Sequence, residues 1–364
     1  MNRFLSFALA SLVLLLNSCS GEMTPEEIYE NQSSGVVLVL NQFYYSVTLN
    51  DGSKIYFSGQ KDGELENVAF EEDSIKSSMA FGTAFFIDKN GSMLTNRHVV
   101  EPVIEKKEVS KYIRNLIDFL QEYAREKQQE IAYQYQVIQQ QIQDNTGVDY
   151  DENIGWYHID SPENEYLRQQ LQYLEEQFNE AEYYINGLKY IDPYKITIDL
   201  HSKIGIAYNN SHVSSPNDFK SCLVTKKSDD ADLAVIRLRS GATPANAFVF
   251  STPKDDKSFF EPELKERETL KLNQPLILIG YNRGIELANT KEGVKVQLTT
   301  GNVSQQPDDD HVMYTIPLLQ GSSGSPVLNS YGEVVAINFA GMNGTQSFNF
   351  GIPLKQIKKF LNIL

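Results

Sequence analysis

Apolar and polar positions follow one rhythm at both ends of the chain and another in the middle. "GVVLVLNQFYYSVTL" and "SKIYFSG" are β-rich runs divided by Asn50-Asp51-Gly52, a strong hairpin signal. "FGTAFFID" and "SMLTNRHVV" follow, divided by a turn at Lys89-Asn90-Gly91. Ile196, Ile198 and Leu200 alternate in "YKITIDLHSKIGIAY", and "SCLVT" and "DADLAVIRL" extend the pattern. The last third offers "QPLILIGY", "VKVQLTTGNVS", "HVMYTIPL", "SPVLN", "GEVVAINFAG" and "SFNFGIP". Short strands with frequent turns predict an all-β sandwich or barrel.

Between these blocks the period changes. Ile113, Leu116, Ile117 and Leu120, then Ile131, Tyr135, Ile138 and Ile142, recur at helical spacing. Leu167, Leu171, Leu174, Phe178 and Ile185 form a second set. Gly147 and Ser161–Asn164 interrupt the two sets, with Ser161 placed to cap the second helix and Pro162 at its first position. The spacing predicts a helical hairpin of about 40 and about 28 residues, each helix with one apolar face. A Gln-rich low-complexity tract would lack that regularity. Leu354, Ile357, Phe360, Leu361 and Leu364 predict a terminal helix.

The expected organisation is a signal peptide at 1–18, a polar tether at 19–34 and a first β-barrel from 35–102 and 191–250. The helical insertion takes 103–190, a polar linker 251–268, a second barrel 269–353 and a terminal helix 354–364.

Composition narrows the function classes. The chain has 364 residues and a formal charge of −16, and no basic stripe stands out, so a nucleic-acid partner is not expected. Arg3 and "FLSFALASLVLLL" form a targeting segment too short to span a bilayer comfortably. Leu16, Ser18 and Cys19 stand where a bacterial lipobox has its leucine, small residue and lipidated cysteine, although Asn17 is unusual there. The expectation is cleavage before Cys19, acylation of its thiol and lipid anchoring in the bacterial cell envelope; an ordinary secretory signal is the alternative. Ser20 is compatible with sorting to the outer membrane. Cys222, the other cysteine, lies in the apolar run "CLVT" and reads as a packing residue. The five histidines form no metal motif, and neither metal nor cofactor is expected.

Three short stretches carry candidate chemistry. His98 ends the run "MLTNRHVVE", Asp232 opens a buried-looking strand in "DADLAVIRL", and Ser323 lies in "QGSSGSPV". Alone, each reads more simply as a surface histidine, a turn aspartate and a flexible loop. Acyl transfer by serine needs a hydroxyl, an imidazole and a carboxylate, together with backbone N–H groups aimed at the developing oxyanion.

Order and context together resemble the trypsin-like, chymotrypsin-fold serine peptidases. The resemblance is to the bacterial disulfide-free Deg/HtrA protease domain, here without a PDZ domain. "FGTAFFIDKNGSMLTNRHVV", "DADLAVIRL", "LTTGNVS" and "GSSGSPVLNSYGEVVAIN" carry it, over roughly residues 35–100 and 191–363. It implies an all-β core of two six-stranded antiparallel barrels, interrupted by the helical insertion and closed by the terminal helix. It implies His98 as general base, Asp232 as its orienter and Ser323 as nucleophile, with Asp229 and Asp230 as close competitors of Asp232. The N–H groups of Gly321 and Ser323 would form the oxyanion hole. It further implies a specificity pocket lined by Ile316, Pro317, Asn338, Phe339, Ala340 and Gly351. None of these is acidic, so the expected preference is for a small or medium apolar residue before the scissile bond.

Several positions depart from the family pattern. Ser322 and Ser325 stand where Asn or Asp and Gly are commoner, and Arg97 precedes the histidine where a small residue is frequent. Ser322 cannot pair with a newly cut amino terminus, so no zymogen-type activation is expected. The expected partners are protein or peptide substrates and a membrane reached through the lipid alone. The insertion reads as a packed decoration, or else as a lid over the cleft or an arm for a protein partner; decoration and partner contact are the favoured readings. A serine endopeptidase of the envelope is the leading expectation; a catalytically silent lipoprotein that binds a partner is the second. An esterase would carry a Gly-x-Ser-x-Gly elbow, which Gly321–Gly324 lacks.

Overall fold

The computed structural model describes residues 21–250, 269–341 and 349–362. The signal segment with Cys19 and the linker 251–268 lie outside the described residues. The chain runs α1 (Pro25–Gln32), β1 (Val36–Thr48), β2 (Lys54–Phe57), β3 (Gly59–Lys61), β4 (Glu64–Glu66), β5 (Ser78–Phe86), β6 (Ser92–Thr95) and α2 (Arg97–Val100). Next come α3 (Lys106–Asp144), β7 (Thr146–Asp151), β8 (Gly155–Asp160), α4 (Glu163–Lys189), β9 (Thr197–Tyr208), β10 (Lys220–Lys227) and β11 (Ala234–Leu238). The last part holds β12 (Pro275–Gly280), α5 (Ile285–Ala288), β13 (Asn289–Thr290), β14 (Gly293–Val294), β15 (Gln297–Asn302), β16 (Val312–Tyr314), β17 (Pro326–Leu328), β18 (Val334–Gly341), β19 (Asn349–Pro353) and α6 (Leu354–Leu361).

Two compact units divide these elements. The first takes residues 1–43, 77–103 and 201–364, the second residues 44–76 and 104–200. In the first unit, strands pair in the order β1-β5-β6-β11-β10-β9, and β1 also pairs with β9, which closes a six-stranded barrel. A second six-stranded sheet has the order β15-β12-β17-β18-β19-β16. It curls until Val303, just past β15, bridges to Tyr314 of β16. This is the all-β, chymotrypsin-like core expected from the sequence, except that the second sheet is a curled half-barrel touching at its seam through one isolated bridge, not the second closed barrel expected.

Strand periodicity explains why these runs are apolar throughout. Successive side chains point to opposite faces of a strand. Val37 and Val39 of β1, with Ala84, Phe86, Met93, Ala234 and Ile236, fill the first barrel. Their neighbours Val36, Leu38, Phe85, Leu94 and Val235 face the other way, into a core shared with Ile277, Ile279, Tyr281 and Ile337 of the second sheet. Leu276, Leu278, Tyr314, Val327 and Val335 fill that second sheet. Each fully buried side chain of this size contributes on the order of 1.5–3 kcal/mol. Three cores in one unit hold the two sheets rigidly against each other, and the site described below lies between them.

The segment at 19–34, expected as a polar tether, folds from Met23 onward. The Met23 N–H donates to the Ser330 carbonyl at 2.7 Å. Thr24 and Glu27 form a reciprocal capping box with Pro25 in the first turn, and Ile28 is fully buried. One apolar side chain suffices here because the cap satisfies the helix start.

The second unit holds the helical hairpin, with α3 of 39 and α4 of 27 residues. The Glu163 N–H donates to Ser161 Oγ, so the serine acts as the cap although Pro162 precedes the first helical residue. Where the sequence pattern indicates only a break, the chain forms the β7–β8 hairpin, pairing Val148 with His158 and Tyr150 with Trp156. Among the described residues no helix is long and apolar enough to cross a membrane.

Candidate active site

His98 is the second residue of α2, which follows β6 after Asn96, and Asp232 sits two residues before β11, the strand that pairs with β6. Ladder pairing of Thr95 with Ala234 therefore carries the two residues into contact. His98 Nδ1 lies 2.6 Å from Asp232 Oδ2, and the His98 backbone N–H donates to Asp232 Oδ1 at 2.9 Å. A carboxylate oxygen at this distance is matched by an N–H on Nδ1, an arrangement that turns Nε2 away from Asp232. Asn96 Nδ2 donates to the Asp232 carbonyl at 2.9 Å and fixes the backbone as well. Of the competing aspartates, Asp230 pairs with Lys359 at 2.9 Å, and neither it nor Asp229 contacts the imidazole.

Arg97 has a clear role beside the histidine. Its Nε donates to Glu101 at 2.7 Å and its Nη1 to the Ser228 carbonyl at 2.9 Å, while Lys227 meets Glu101 at 3.1 Å. The guanidinium thus ties α2 to the loop that carries Asp232.

The turn with Ser323 is held by its carbonyls. Ser322 N–H and Oγ both donate to Leu319 O. Arg283 N–H donates to Gln320 O at 2.6 Å, and Thr83 Oγ1 to Gly321 O at 3.0 Å. Ser325 Oγ and Asn338 Nδ2 donate to Ser322 O, and Thr83 N–H to Ser323 O at 2.8 Å. Five consecutive carbonyls are thereby turned inward and occupied. The N–H groups of Gly321 and Ser323 donate to no acceptor among the described residues, whereas those of Ser322, Gly324 and Ser325 are all bonded. Two unspent donors flanking a serine are the components of an anion-binding hole.

Glycine is required twice in this turn. Gly321 (φ +101°) and Gly324 (φ +87°) adopt left-handed conformations. A Cβ on Gly324 would lie 2.0 Å from Thr83 O and 2.5 Å from Thr95 Oγ1. That close approach seats the Ser323 turn against the end of β6, three residues before His98. The Ser323 hydroxyl is half-buried, and among the described residues it has no hydrogen-bond partner, His98 included.

Residues 205–337 match the family described as "Trypsin-like peptidase domain". Over that stretch the chain is similar to trypsin-like peptidases. The matched stretch includes Asp232 and Ser323; His98 precedes it. A "Probable periplasmic serine endoprotease DegP-like" of Pseudomonas putida (strain GB-1) is 28% identical over 139 residues, covering 34% of this chain and 28% of that protein. The match therefore spans less than a third of that relative. A solved structure titled "Crystal structure of the serine endoprotease from Yersinia pestis" aligns with a TM-score of 0.43 and 12% identity, over 94% of this chain and 66% of that one.

The residues expected to line a specificity pocket divide into two groups. Pro317 is exposed and Phe339 half-buried, with the Phe339 ring 5.8 Å from His311. Ile316 and Asn338 are buried. The Ile316 carbonyl is taken by Asn349 Nδ2, and Asn338 is spent on Ser322 and on the Tyr314 hydroxyl at 2.7 Å. Asn338 is thus a buttress of the Ser323 turn. A Cβ on Gly351 would lie 3.0 Å from Ala336 Cβ and 3.1 Å from Tyr314 Cε1, so Tyr314 fills the space behind it. The side chain of Ala340 lies outside the described ones.

The Ser323 turn also relies on residues that the sequence pattern did not single out. Thr83, Arg283, Asn338 and Tyr314 supply the grip on the turn. Their signals in the sequence were the Gly82-Thr83-Ala84 strand and the Tyr281–Gly284 stretch, in which Arg283 takes a positive φ of 60°. Cys222 is buried, and burial pushes its thiol up to about 12, which makes it inert at neutral pH. Among the described residues no group of His, Cys, Asp or Glu could hold a metal ion.

Proposed function

We propose that this chain is a serine endopeptidase of the bacterial cell envelope, cleaving peptide bonds through an acyl-enzyme. The observation that carries the reading is the nucleophile turn: carbonyls 319 to 323 are all bonded inward, leaving the Gly321 and Ser323 N–H groups free. His98 Nε2 would take the Ser323 proton as Oγ attacks the scissile carbonyl carbon. The oxyanion would then form against the two free N–H groups, and Asp232 would stabilise the imidazolium. The same proton would pass to the leaving amine as the C–N bond breaks, and water activated by His98 would release the acyl group. The hole is held open by neutral hydrogen bonds, so no cut amino terminus is needed.

Specificity for a small or medium apolar residue before the scissile bond follows from the same surfaces. Pro317 and Phe339 are apolar, Tyr314 occupies the space behind Gly351, and no candidate lining residue is acidic. A peptide library should give cleavage after Ala, Val or Leu; dominance of Lys or Arg sites would refute this. We further read Cys19 as the acylated residue, testable by fatty-acid labelling that is lost in Cys19→Ala.

The unpartnered Ser323 hydroxyl favours one alternative, a silent member of the fold acting as a binding module. A fluorophosphonate probe separates the two readings. The endopeptidase should be labelled at Ser323, and Ser323→Ala should abolish labelling. An intact protein that never labels would favour the binding module.

A further inference from the structure

The β7–β8 hairpin, at the turn of the α3–α4 hairpin, is a sheet of only two strands. Directly opposed residues share a face, so Val148, Tyr150, Trp156 and His158 form one surface. Trp156 is 74% exposed and Ile154, in the connecting turn, 72%. The Tyr150 and Trp156 rings meet edge to face at 5.3 Å, which holds the aromatic surface in shape. A two-stranded hairpin is marginal in water, and both of its outer edges offer unpaired backbone groups. A third strand would satisfy one edge and set its own side chains beside the aromatic ones on that face.

Charge selects the occupant. No Lys or Arg occurs between Lys127 and Arg168. Asp160 is paired with Arg168, but Asp149, Asp151 and Glu152 have no basic partner among the described residues. A second copy of the hairpin would bring like charges together, and an anionic lipid surface would be repelled. An extended chain with basic residues on one side and apolar residues on the other meets both the carboxylates and the rings.

We propose that the β7–β8 hairpin binds an extended polypeptide segment of alternating basic and apolar residues, which adds to it as a third strand. This surface belongs to the second unit and does not depend on the catalytic reading. The full-length Ser323→Ala protein tests it without cleavage of the probe. Trp156 is the only tryptophan in the chain, so its emission reports the hairpin alone.

Three blocked synthetic peptides serve as probes: alternating Lys-Val, alternating Glu-Val, and a block peptide of the same Lys and Val content. The expected result is a saturable blue shift with alternating Lys-Val only, weakening as salt is raised. The double variant Val148→Ser, Ile154→Ser retains the charge and the fluorophore, and should bind at least about tenfold more weakly. Equal binding of the block peptide would overturn the proposal, as would undiminished binding by the double variant. A blue shift with phosphatidylglycerol vesicles but none with peptide would overturn it in favour of a membrane contact. Concentration-dependent dimerisation abolished by the double variant, without peptide binding, would overturn it in favour of self-association.

Discussion

Ser325 and Gly280 share one space: a Cβ on Gly280 would lie 1.9 Å from Ser325 Oγ and 2.9 Å from Ser325 Cβ. Ser325 stands where the family usually has glycine, and its hydroxyl donates to Ser322 O at 2.6 Å. The extra bulk behind the nucleophile is accommodated because the facing strand has no side chain at that point. Gly280→Ala should therefore destabilise the chain by roughly 1–3 kcal/mol, the usual cost of overpacking a filled core. Adding Ser325→Gly should restore most of that loss, because it removes both clashing atoms. Urea unfolding of the single and double variants measures the coupling, and strictly additive effects would contradict the shared-space account.

Thr83 grips the nucleophile turn at two points, Gly321 O through its hydroxyl and Ser323 O through its N–H. The hydroxyl also accepts from the Tyr281 N–H at 3.0 Å. Thr83→Val keeps the shape and removes the hydroxyl, so the Gly321 peptide loses its anchor. If the hole works as proposed, kcat should fall by about tenfold to a hundredfold with KM nearly unchanged, less than the loss from deleting a hole donor outright. Thr83→Ser should recover most of the rate. A loss confined to KM would assign Thr83 to substrate binding.

The pattern of the chain foretold its core strands because several, such as β12 and β17, are buried on both faces and so read as apolar runs. His98, Asp232 and Ser323 stood out because each lies in a short local motif beside a strand. The grip on the turn was not legible. Thr83, Arg283 and Asn338 come from three strands or turns far apart in sequence, and nothing local ties Arg283 to Gln320. The α1 helix was signalled by Thr24-Pro25-Glu26-Glu27, but a single buried apolar side chain, Ile28, left the segment looking like a tether. The β7–β8 hairpin was hidden because its apolar residues alternate with acidic ones and its turn, Glu152–Ile154, lacks an Asn-Gly or Asp-Gly pair.

Cys222 should resist modification in the folded chain. It lies in the first barrel among Ile204, Ile206 and Leu238, and burial raises its thiol pKa to about 12. Native protein treated with iodoacetamide at neutral pH should gain no adduct at Cys222, whereas protein unfolded in guanidinium should gain one. Intact-mass measurement reads the difference. Rapid labelling of native protein would mean that the barrel opens locally far more often than its packing implies.

Arg97, Glu101 and Lys227 make the acid limit of the site predictable. Burial pushes the Glu101 carboxyl up, but hydrogen bonds and charge from Arg97 and Lys227 more than offset this and leave it below the ordinary value of 4.5. A carboxyl depressed by folding stabilises the native state above its unfolded pKa, and that contribution is lost as pH falls through the folded value. The loss should begin as pH drops below about 4.5 and be complete only at more acid values. Thermal unfolding followed across this window should show the wild-type midpoint falling more steeply than that of Glu101→Gln, which has no proton to take up. Because Arg97 also holds the Ser228 carbonyl, the variant should loosen the loop bearing Asp232 and lower kcat at neutral pH while KM stays the same. Parallel pH profiles for the two proteins would remove Glu101 from the account of acid stability, and an unchanged kcat would confine Arg97 to a surface role.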